Sequence, residues 1–364
     1  MITRDKYLKL EKKDRFIKLD KTEEERAEEL HRKFISIDLH SLILFDETLL
    51  DPEGAVSFSE VEFRVPQIQN SGVTGFFEAV EAMTENFQES MEMLGNYINR
   101  IKKHPDFIPA FKAEDFKRAK NEGKQAVMFQ IEPQTFEKNL DNVNIAFGLG
   151  IRMAILTSNT RNYVADGCGE RTDEGLSNFG IDVVERMNQV GMLVDVSHVG
   201  TRSTLDTIEI SEDPIVANHV GARALYLQCR RLKTDKVLQA LAEKGGMAGV
   251  SAIPNQLSGK NEQGIEDVMN HVDYITNLIG VDHVGIGLDN LFGDHVELHR
   301  RSDGSLFTLK RINQELNAPF MWGIESPEEW PNITRGLVSR GYSDQEIEKI
   351  LGKNALTLIR KVIG

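Results

Sequence analysis

Five residues of the types that bind metal ions or transfer protons stand at the carboxyl ends of short apolar runs. They are His40, Glu132, His198, His219 and Asp289. The runs that they end cover residues 34–40, 125–132, 191–198, 213–219 and 283–289. One such histidine more often belongs to a hydrogen-bonded core, but five such endings together indicate a shared metal or acid-base site.

Neutral imidazole and carboxylate ligands suit zinc and other first-row divalent ions. Such an ion lowers the pKa of a coordinated water to near 7 and so supplies a nucleophile without a strong base. Five ligands exceed what one catalytic ion needs, and they favour two ions bridged by Glu132, which is central in the strand order. Asp289 would either bind metal or accept the proton of the attacking water.

An oxyanion that develops on the substrate would also need an electrophilic partner. Arg230 and Arg231 follow the His219 run and are candidates to reach over the site. For either arginine alone, an ordinary surface position in a loop is an equally good interpretation.

The apolar runs alternate with amphipathic stretches, which predicts a parallel sheet built from βα units. Eight strands are predicted, over residues 34–40, 71–77, 125–132, 151–157, 191–198, 214–219, 247–253 and 283–289. Eight is the number that a closed (β/α)8 TIM barrel needs, and such barrels place their chemistry where the carboxyl ends of the strands meet. We expect a charged helical extension over residues 1–33, one barrel domain over 34–364, and extra helices after residue 320.

Several helix boundaries are marked by capping residues. Ser177, Thr234, Ser326 and Ser343 are predicted N-caps, and Gly191 ends a helix that leads directly into the His198 strand. His271 lies inside a predicted helix, and we interpret it as a partly exposed surface residue.

The composition limits the classes of partner. The chain has 364 residues with a formal net charge of −14, which argues against nucleic acid or an anionic membrane as the main partner. Its two cysteines, Cys168 and Cys229, are expected to be reduced thiols. The charged first residues lack a signal-peptide core, so a cytoplasmic location is expected.

Four segments carry a resemblance to a known family. GLSNFGIDVVERMNQVGMLVDVSHVG, ANHVGARAL, HVGIGLD and WPNITRGLVSRGYSDQEIEKILGKNALTLI resemble the membrane dipeptidase family, the renal dipeptidase-like peptidases of family M19. The resemblance runs from about residue 34 to the C-terminus. It implies an amidohydrolase-like barrel, a binuclear zinc site, hydrolysis of dipeptides and related amides, and a homodimer.

The resemblance assigns a role to each strand-end residue. His40 corresponds to the family's first-strand histidine, Glu132 to its bridging glutamate, His198 and His219 to the ligands of the second ion, and Asp289 to the carboxylate after the last strand. The family's substrate-contacting arginine corresponds to Arg230 when counted from His219, and to Arg231 when counted back from Thr234.

The sequence departs from the family at the barrel mouth. Leu42 stands where the family has a metal-binding aspartate, Ser158 where it has a substrate-contacting histidine, and Pro133 where a glycine follows the bridging glutamate. Asp46 and Glu47 lie nearby and are candidates to replace the lost carboxylate. The first ion is therefore expected to be bound weakly or not at all.

Three hypotheses follow. The first is a metal-dependent hydrolase that cleaves the amide bond of a dipeptide or a dipeptide-like small molecule. The second is an enzyme with one metal ion on the side of His198 and His219, acting on a non-peptide amide, a cyclic amide or an ester. The third is a catalytically inactive barrel with a binding or structural role.

Overall fold

The protein is described by a computed structural model that covers residues 17–42, 67–80, 86–131, 136–289, 318 and 321–364. Of the residues singled out above, Asp46, Glu47, Glu132 and Pro133 lie outside these ranges.

Apolar, largely buried runs form the strands. Every residue of the longest one, Gln125–Ile131, is buried. In chain order the strands are β1 Ile37–Ser41, β2 Gly75–Ala79, β3 Phe107–Pro109, β4 Gln125–Ile131, β5 Ile151–Ile155, β6 Leu193–Asp195, β7 Val216–Val220, β8 Met247–Val250, β9 Gln263–Gly264, β10 Val284–Ile286 and β11 Met321–Trp322. All eight predicted strands are present, although most are shorter than predicted.

Eight parallel strands close into a barrel in the order β1, β2, β4, β5, β6, β7, β8 and β10. The pairing of β10 with β1 joins the two ends of this order, with Ile286 opposite Asp38. Strand β3 was not predicted and pairs with β4 from outside the closed ring. Strands β9 and β11 form a separate two-stranded sheet. The predicted TIM barrel is confirmed.

Helices follow the strands and cover the barrel. They are α1 Lys21–Lys33, α2 Phe87–Lys103, α3 Ala113–Glu122, α4 Asp141–Leu149, α5 Asn178–Val190, α6 Thr201–Ile210, α7 Asp235–Glu243, α8 Ile265–Ile279, α9 Pro331–Ser339, α10 Asp344–Glu348 and α11 Asn354–Val362. Within the described ranges, no helix has the length and apolar character that crossing a membrane requires.

The predicted caps mostly have the expected geometry. Ser177, Thr234 and Ser343 each accept a backbone N–H with the side-chain oxygen. Gly191 ends α5 in the left-handed conformation, with φ of 79°. Ser326 precedes only a short 3-10 helix and makes no side-chain capping bond.

The prediction for His271 was wrong. Its side chain is buried, and both ring nitrogens have protein partners. Nδ1 accepts the amide N–H of Ala222 at 2.9 Å, and Nε2 donates to the carbonyl of Leu257 at the same distance. Helix α8 thus holds the loop after β7 through this imidazole, and burial lowers the pKa of His271.

Alternation along β4 separates the barrel interior from the outer layer. Val127 and Phe129 belong to the apolar cluster shared with the helices, whereas Ala126 and Met128 cluster with Leu39 of β1. Successive strand residues face opposite sides of a sheet. Gln130 therefore continues the inward-facing series of Ala126 and Met128.

Candidate active site

Three of the predicted residues meet inside the barrel mouth. His40 belongs to β1, His219 to β7, and Asp289 follows β10 by three residues. One potential ligand atom from each lies within 4.8 Å of the other two, and all three side chains are buried. His40 and His219 also stack, with ring centroids 3.9 Å apart. Convergence at the carboxyl ends of the strands is the arrangement that the barrel topology predicts.

His198 joins this group through His219. It lies in the turn that follows β6, and its Nε2 is 2.9 Å from Nε2 of His219. Both side chains thus direct the same ring nitrogen toward one point.

Asparagine side chains fix the remaining nitrogens of these two histidines. Oδ1 of Asn218 faces Nδ1 of His219, and Oδ1 of Asn159 lies 2.9 Å from Nδ1 of His198. Asn218 has a defined orientation, because its Nδ2 donates to the carbonyl of Leu39 at 3.0 Å and a carbonyl only accepts. Each Nδ1 therefore donates, and each Nε2 presents a lone pair.

The residues present fit a divalent metal ion. Two lone pairs facing each other at 2.9 Å repel unless a cation or a proton lies between them, and metal-bound histidines usually donate the other N–H to an acceptor. A carboxylate is close, with Asp289 Oδ2 at 3.6 Å from His219 Nε2. Two imidazoles and a carboxylate form a ligand set that zinc accepts.

Asp289 is tied to β1 in two ways. Its amide N–H donates to the carbonyl of His40 at 3.0 Å, and its Oδ1 lies 3.3 Å from Nε2 of His40. The backbone at Asp289 is in the left-handed region, with φ of 54°, a conformation that Asp tolerates better than most residues. This geometry turns the carboxylate toward the two imidazoles.

The backbone around Asn218 is unusually crowded. A Cβ on Gly249 or on Gly287 would lie 2.0 Å or 1.9 Å from the carbonyl oxygen of Asn218. Glycine is therefore required at both positions, so that the neighbouring chain segments pack against the residue that holds His219.

The two candidate arginines have different environments. Arg231 is 1% exposed and donates to the carbonyls of Ser197 and His219, so it links the turn after β6 to strand β7. Arg230 is half-buried and donates to the carbonyl of Glu170 in the long β5–α5 loop. Of the two, Arg230 has the exposure that contact with a substrate requires.

Asp38, two residues before His40, is buried as part of the scaffold. Its carboxylate accepts the amides of His40 and Leu288 and the indole N–H of Trp330 at 3.0 Å. Burial raises its pKa to about 7 despite these hydrogen bonds. Asp38 joins β1, the end of β10 and the C-terminal helices beneath the site.

The structure describes two of the positions at which the sequence departs from the family pattern, Leu42 and Ser158. Leu42 is buried and apolar, so it supplies no ligand, and Ser158 is half-buried in the loop after β5. Glu132, the predicted bridging ligand, lies outside the described residues, as do Asp46 and Glu47.

Sequence reasoning missed the polar residues behind the ligands, namely Asn159, Asn218, Gln130 and Glu78. Gln130 Nε2 lies 2.7 Å from His40 Nδ1. Glu78 is fully buried on β2 and accepts a hydrogen bond from Ser41 at 3.1 Å. The available signal was a polar residue inside an apolar run, as in FFEA, FQIE and ANH.

The chain is similar in sequence and in fold to known proteins. The dipeptidase tcpJ of Claviceps purpurea is 29% identical over 298 residues, which cover 80% of this chain and 63% of that protein. An amidohydrolase from Pseudomonas aeruginosa is 26% identical, with a TM-score of 0.79 over 93% of this chain and 99% of the other. The probable dipeptidase PvdM from the same organism shares the fold, with a TM-score of 0.76 at 21% identity over 94% and 99% of the two chains.

The family model for membrane dipeptidase, peptidase family M19, matches residues 24–300. That range contains every metal-ligand candidate described above. The chain belongs to the membrane dipeptidase family, peptidase family M19.

Proposed function

We propose that this protein is a metal-dependent hydrolase that cleaves the amide bond of dipeptides or of dipeptide-like small molecules. The observation that carries the proposal is the pair of imidazoles at 2.9 Å, with both Nδ1 atoms held by asparagine oxygens. That arrangement offers two lone pairs to a cation, directly beside the carboxylate of Asp289. Family membership and the similarity to tcpJ support a dipeptide as the substrate.

His198, His219 and Asp289 would hold the ion, with zinc as the proposed metal. When bound, such an ion polarises the scissile carbonyl and makes a water molecule more acidic. Asp289 accepts the proton of the attacking water, since its carboxylate is buried at the point where the histidines converge. Arg230 binds the substrate carboxylate or the developing oxyanion from the rim of the site.

The chain spans 63% of the length of tcpJ, so the substrate range of this chain has to be tested directly. The decisive experiment combines metal analysis of the purified protein with assays on a dipeptide panel, before and after treatment with a chelator. We expect hydrolysis that chelation abolishes and zinc restores. Metal-loaded protein that cleaves no dipeptide but does cleave a cyclic amide or an ester would favour the second hypothesis.

Asp289→Asn tests the proton acceptor at the same side-chain volume, and the metal content of the variant is measured beside its turnover because Asp289 is also a proposed ligand. We expect a loss of turnover of about 10²-fold or more, as for other general bases. Chain that binds no metal and gains no stability from zinc would contradict both enzymatic hypotheses and support the inactive barrel.

We also propose a cytoplasmic location, a homodimer and a two-part chain, with an extension over residues 1–33 and one barrel domain. Two free, buried cysteines support the location. Family resemblance alone supports the dimer. Fractionation of cells and light scattering of the purified protein would test these two points.

A further inference from the structure

His40 differs from the other two histidines in what faces its Nδ1. The Nδ1 atoms of His198 and His219 face amide oxygens. Nδ1 of His40 instead faces two amide nitrogens, Nε2 of Gln130 at 2.7 Å and Nδ2 of Asn218 at 3.3 Å. A nitrogen that accepts from an amide carries no proton of its own, so the proton of a neutral His40 lies on Nε2.

Two backbone carbonyls fix the orientation of both amides. Asn218 Nδ2 donates to the carbonyl of Leu39 at 3.0 Å and to Oε1 of Gln130 at 2.7 Å. Because Oε1 of Gln130 occupies that bond, its Nε2 is the atom that faces His40, and Nε2 also points toward the carbonyl of Phe77 at 3.5 Å. Rotating either side-chain amide by 180° would place two donors or two acceptors against each other.

The Nε2 proton of His40 has an acceptor in the right place. Oδ1 of Asp289 lies 3.3 Å from Nε2 of His40. Metal-bound histidines usually donate the non-coordinating N–H to a carboxylate, a carbonyl or a water. His40 has the opposite arrangement, in which the coordinating position carries the proton and the other nitrogen accepts.

We infer that Gln130 is a positioning residue that commits His40 to donate a hydrogen bond to Asp289 instead of binding an ion. The inference rests on the proposed function. The site then holds one ion on the side of His198 and His219, and His40 orients the carboxylate that accepts the proton. Buried Leu42, which supplies no ligand beside His40, agrees with a single ion.

The test uses the metal-free protein labelled with ¹⁵N-histidine. Long-range proton-nitrogen correlation spectra distinguish the two neutral tautomers of each imidazole, and His40→Ala identifies the signals of His40. We expect His40 in the Nε2–H form, and a proton on Nδ1 of both His198 and His219, with one further proton between their Nε2 atoms. An Nδ1–H form for His40 would overturn the inference.

Gln130→Glu is the variant that should reverse the assignment. A carboxylate keeps an acceptor for Nδ2 of Asn218 and places a second acceptor opposite Nδ1 of His40. We expect Nδ1 of His40 to become protonated, because the ring then lies between this carboxylate and that of Asp289. An unchanged tautomer in the folded variant, or two zinc ions bound by the unmodified chain, would contradict the inference.

Gln130→Met covers the case in which the buried carboxylate prevents folding. It removes the nearer amide donor at similar volume, while Asn218 Nδ2 and Asp289 Oδ1 still favour the Nε2–H form. We therefore expect a mixture, with a fraction of His40 in the Nδ1–H form that the unmodified protein lacks. A pure Nε2–H signal in this variant would show that Gln130 does not set the tautomer. These readouts need no turnover, so they stay decisive even if the unmodified protein hydrolyses no dipeptide.

Discussion

His198 and His219 place their Nε2 atoms 2.9 Å apart, although His198 lies in the turn after β6 and His219 belongs to β7. The separation brings two lone pairs to one point, because Asn159 and Asn218 hold the opposite ring nitrogens as donors. A cation relieves the repulsion that this arrangement creates. The pair is thus the part of the site that is built for metal, and it distinguishes this side of the mouth from the side of His40.

His198→Ala should lose the bound metal, whereas His40→Ala should keep it. His198 contributes a lone pair to the ion, and His40 contributes a hydrogen bond to Asp289 instead. Mass spectrometric metal analysis of both purified variants, dialysed against the same low concentration of zinc, measures the difference. Equal losses of metal would show that His40 is a ligand of similar importance.

Asn159→Gly should weaken zinc binding by about 10-fold to 100-fold, the usual effect of removing the partner of a ligand histidine. Glycine avoids strain, because Asn159 has a positive φ of 49°. Asn159→Asp is the matched control and should retain tight binding, since a carboxylate oxygen still accepts from Nδ1 of His198. Competition with a fluorescent zinc chelator gives both affinities. Equal affinities for the two variants would rule out the proposed role of Asn159.

The positions of the barrel strands were predictable because each strand lies in a short, mostly apolar run. Strand β3 was not predictable in the same way, since Phe107–Pro109 has only three residues and ends in proline. Strand β3 lies outside the closed ring and pairs with one strand of the ring, β4. The strand ends were also misplaced, as β6 ends at Asp195 and the chain turns before it reaches His198.

The ligand candidates were predictable from residue type and from position after the apolar runs. The amides behind them were not, because Asn and Gln usually lie at the surface. Their roles depend on contacts between segments that are remote in sequence, such as Asn218 with Leu39 and Gln130 with His40. A sequence shows which strands end in polar residues, but the identity of the atom that faces each ring nitrogen needs the three-dimensional structure.

The two neighbouring arginines should differ in what their loss does. Arg231→Met leaves the buried carbonyls of Ser197 and His219 without their donor, and each orphaned group costs about 1 to 3 kcal/mol. We therefore expect a loss of several kcal/mol in the free energy of unfolding, measured by urea denaturation.

Arg230→Met should change that free energy by less than about 1 kcal/mol, because Arg230 is half-buried. It should instead raise the KM for dipeptides through the loss of a charged contact with the substrate. The opposite pattern, an unstable Arg230→Met and a stable Arg231→Met with raised KM, would exchange the two assignments.

Lys233 makes the stability of the fold depend on pH. Its Nζ donates to the carbonyl of Val199 at 2.6 Å, and burial, reinforced by the positive charge of Arg231, lowers its pKa to about 7. An unfolded chain keeps this lysine protonated up to its ordinary pKa, about 10.4. Between those two values the unfolded state binds more protons, so the free energy of unfolding rises with pH.

Lys233→Met removes this contribution at similar length. The free energy of unfolding of the variant, minus that of the unmodified protein, should therefore be largest near pH 6. This difference should fall by about 1 kcal/mol per pH unit between pH 7 and 9. Urea denaturation of both proteins at pH 6, 7, 8 and 9 measures the difference. Parallel stability curves would mean that Lys233 keeps its charge in the folded state, held by the carbonyl of Val199 and by Thr204 Oγ1 at 3.3 Å.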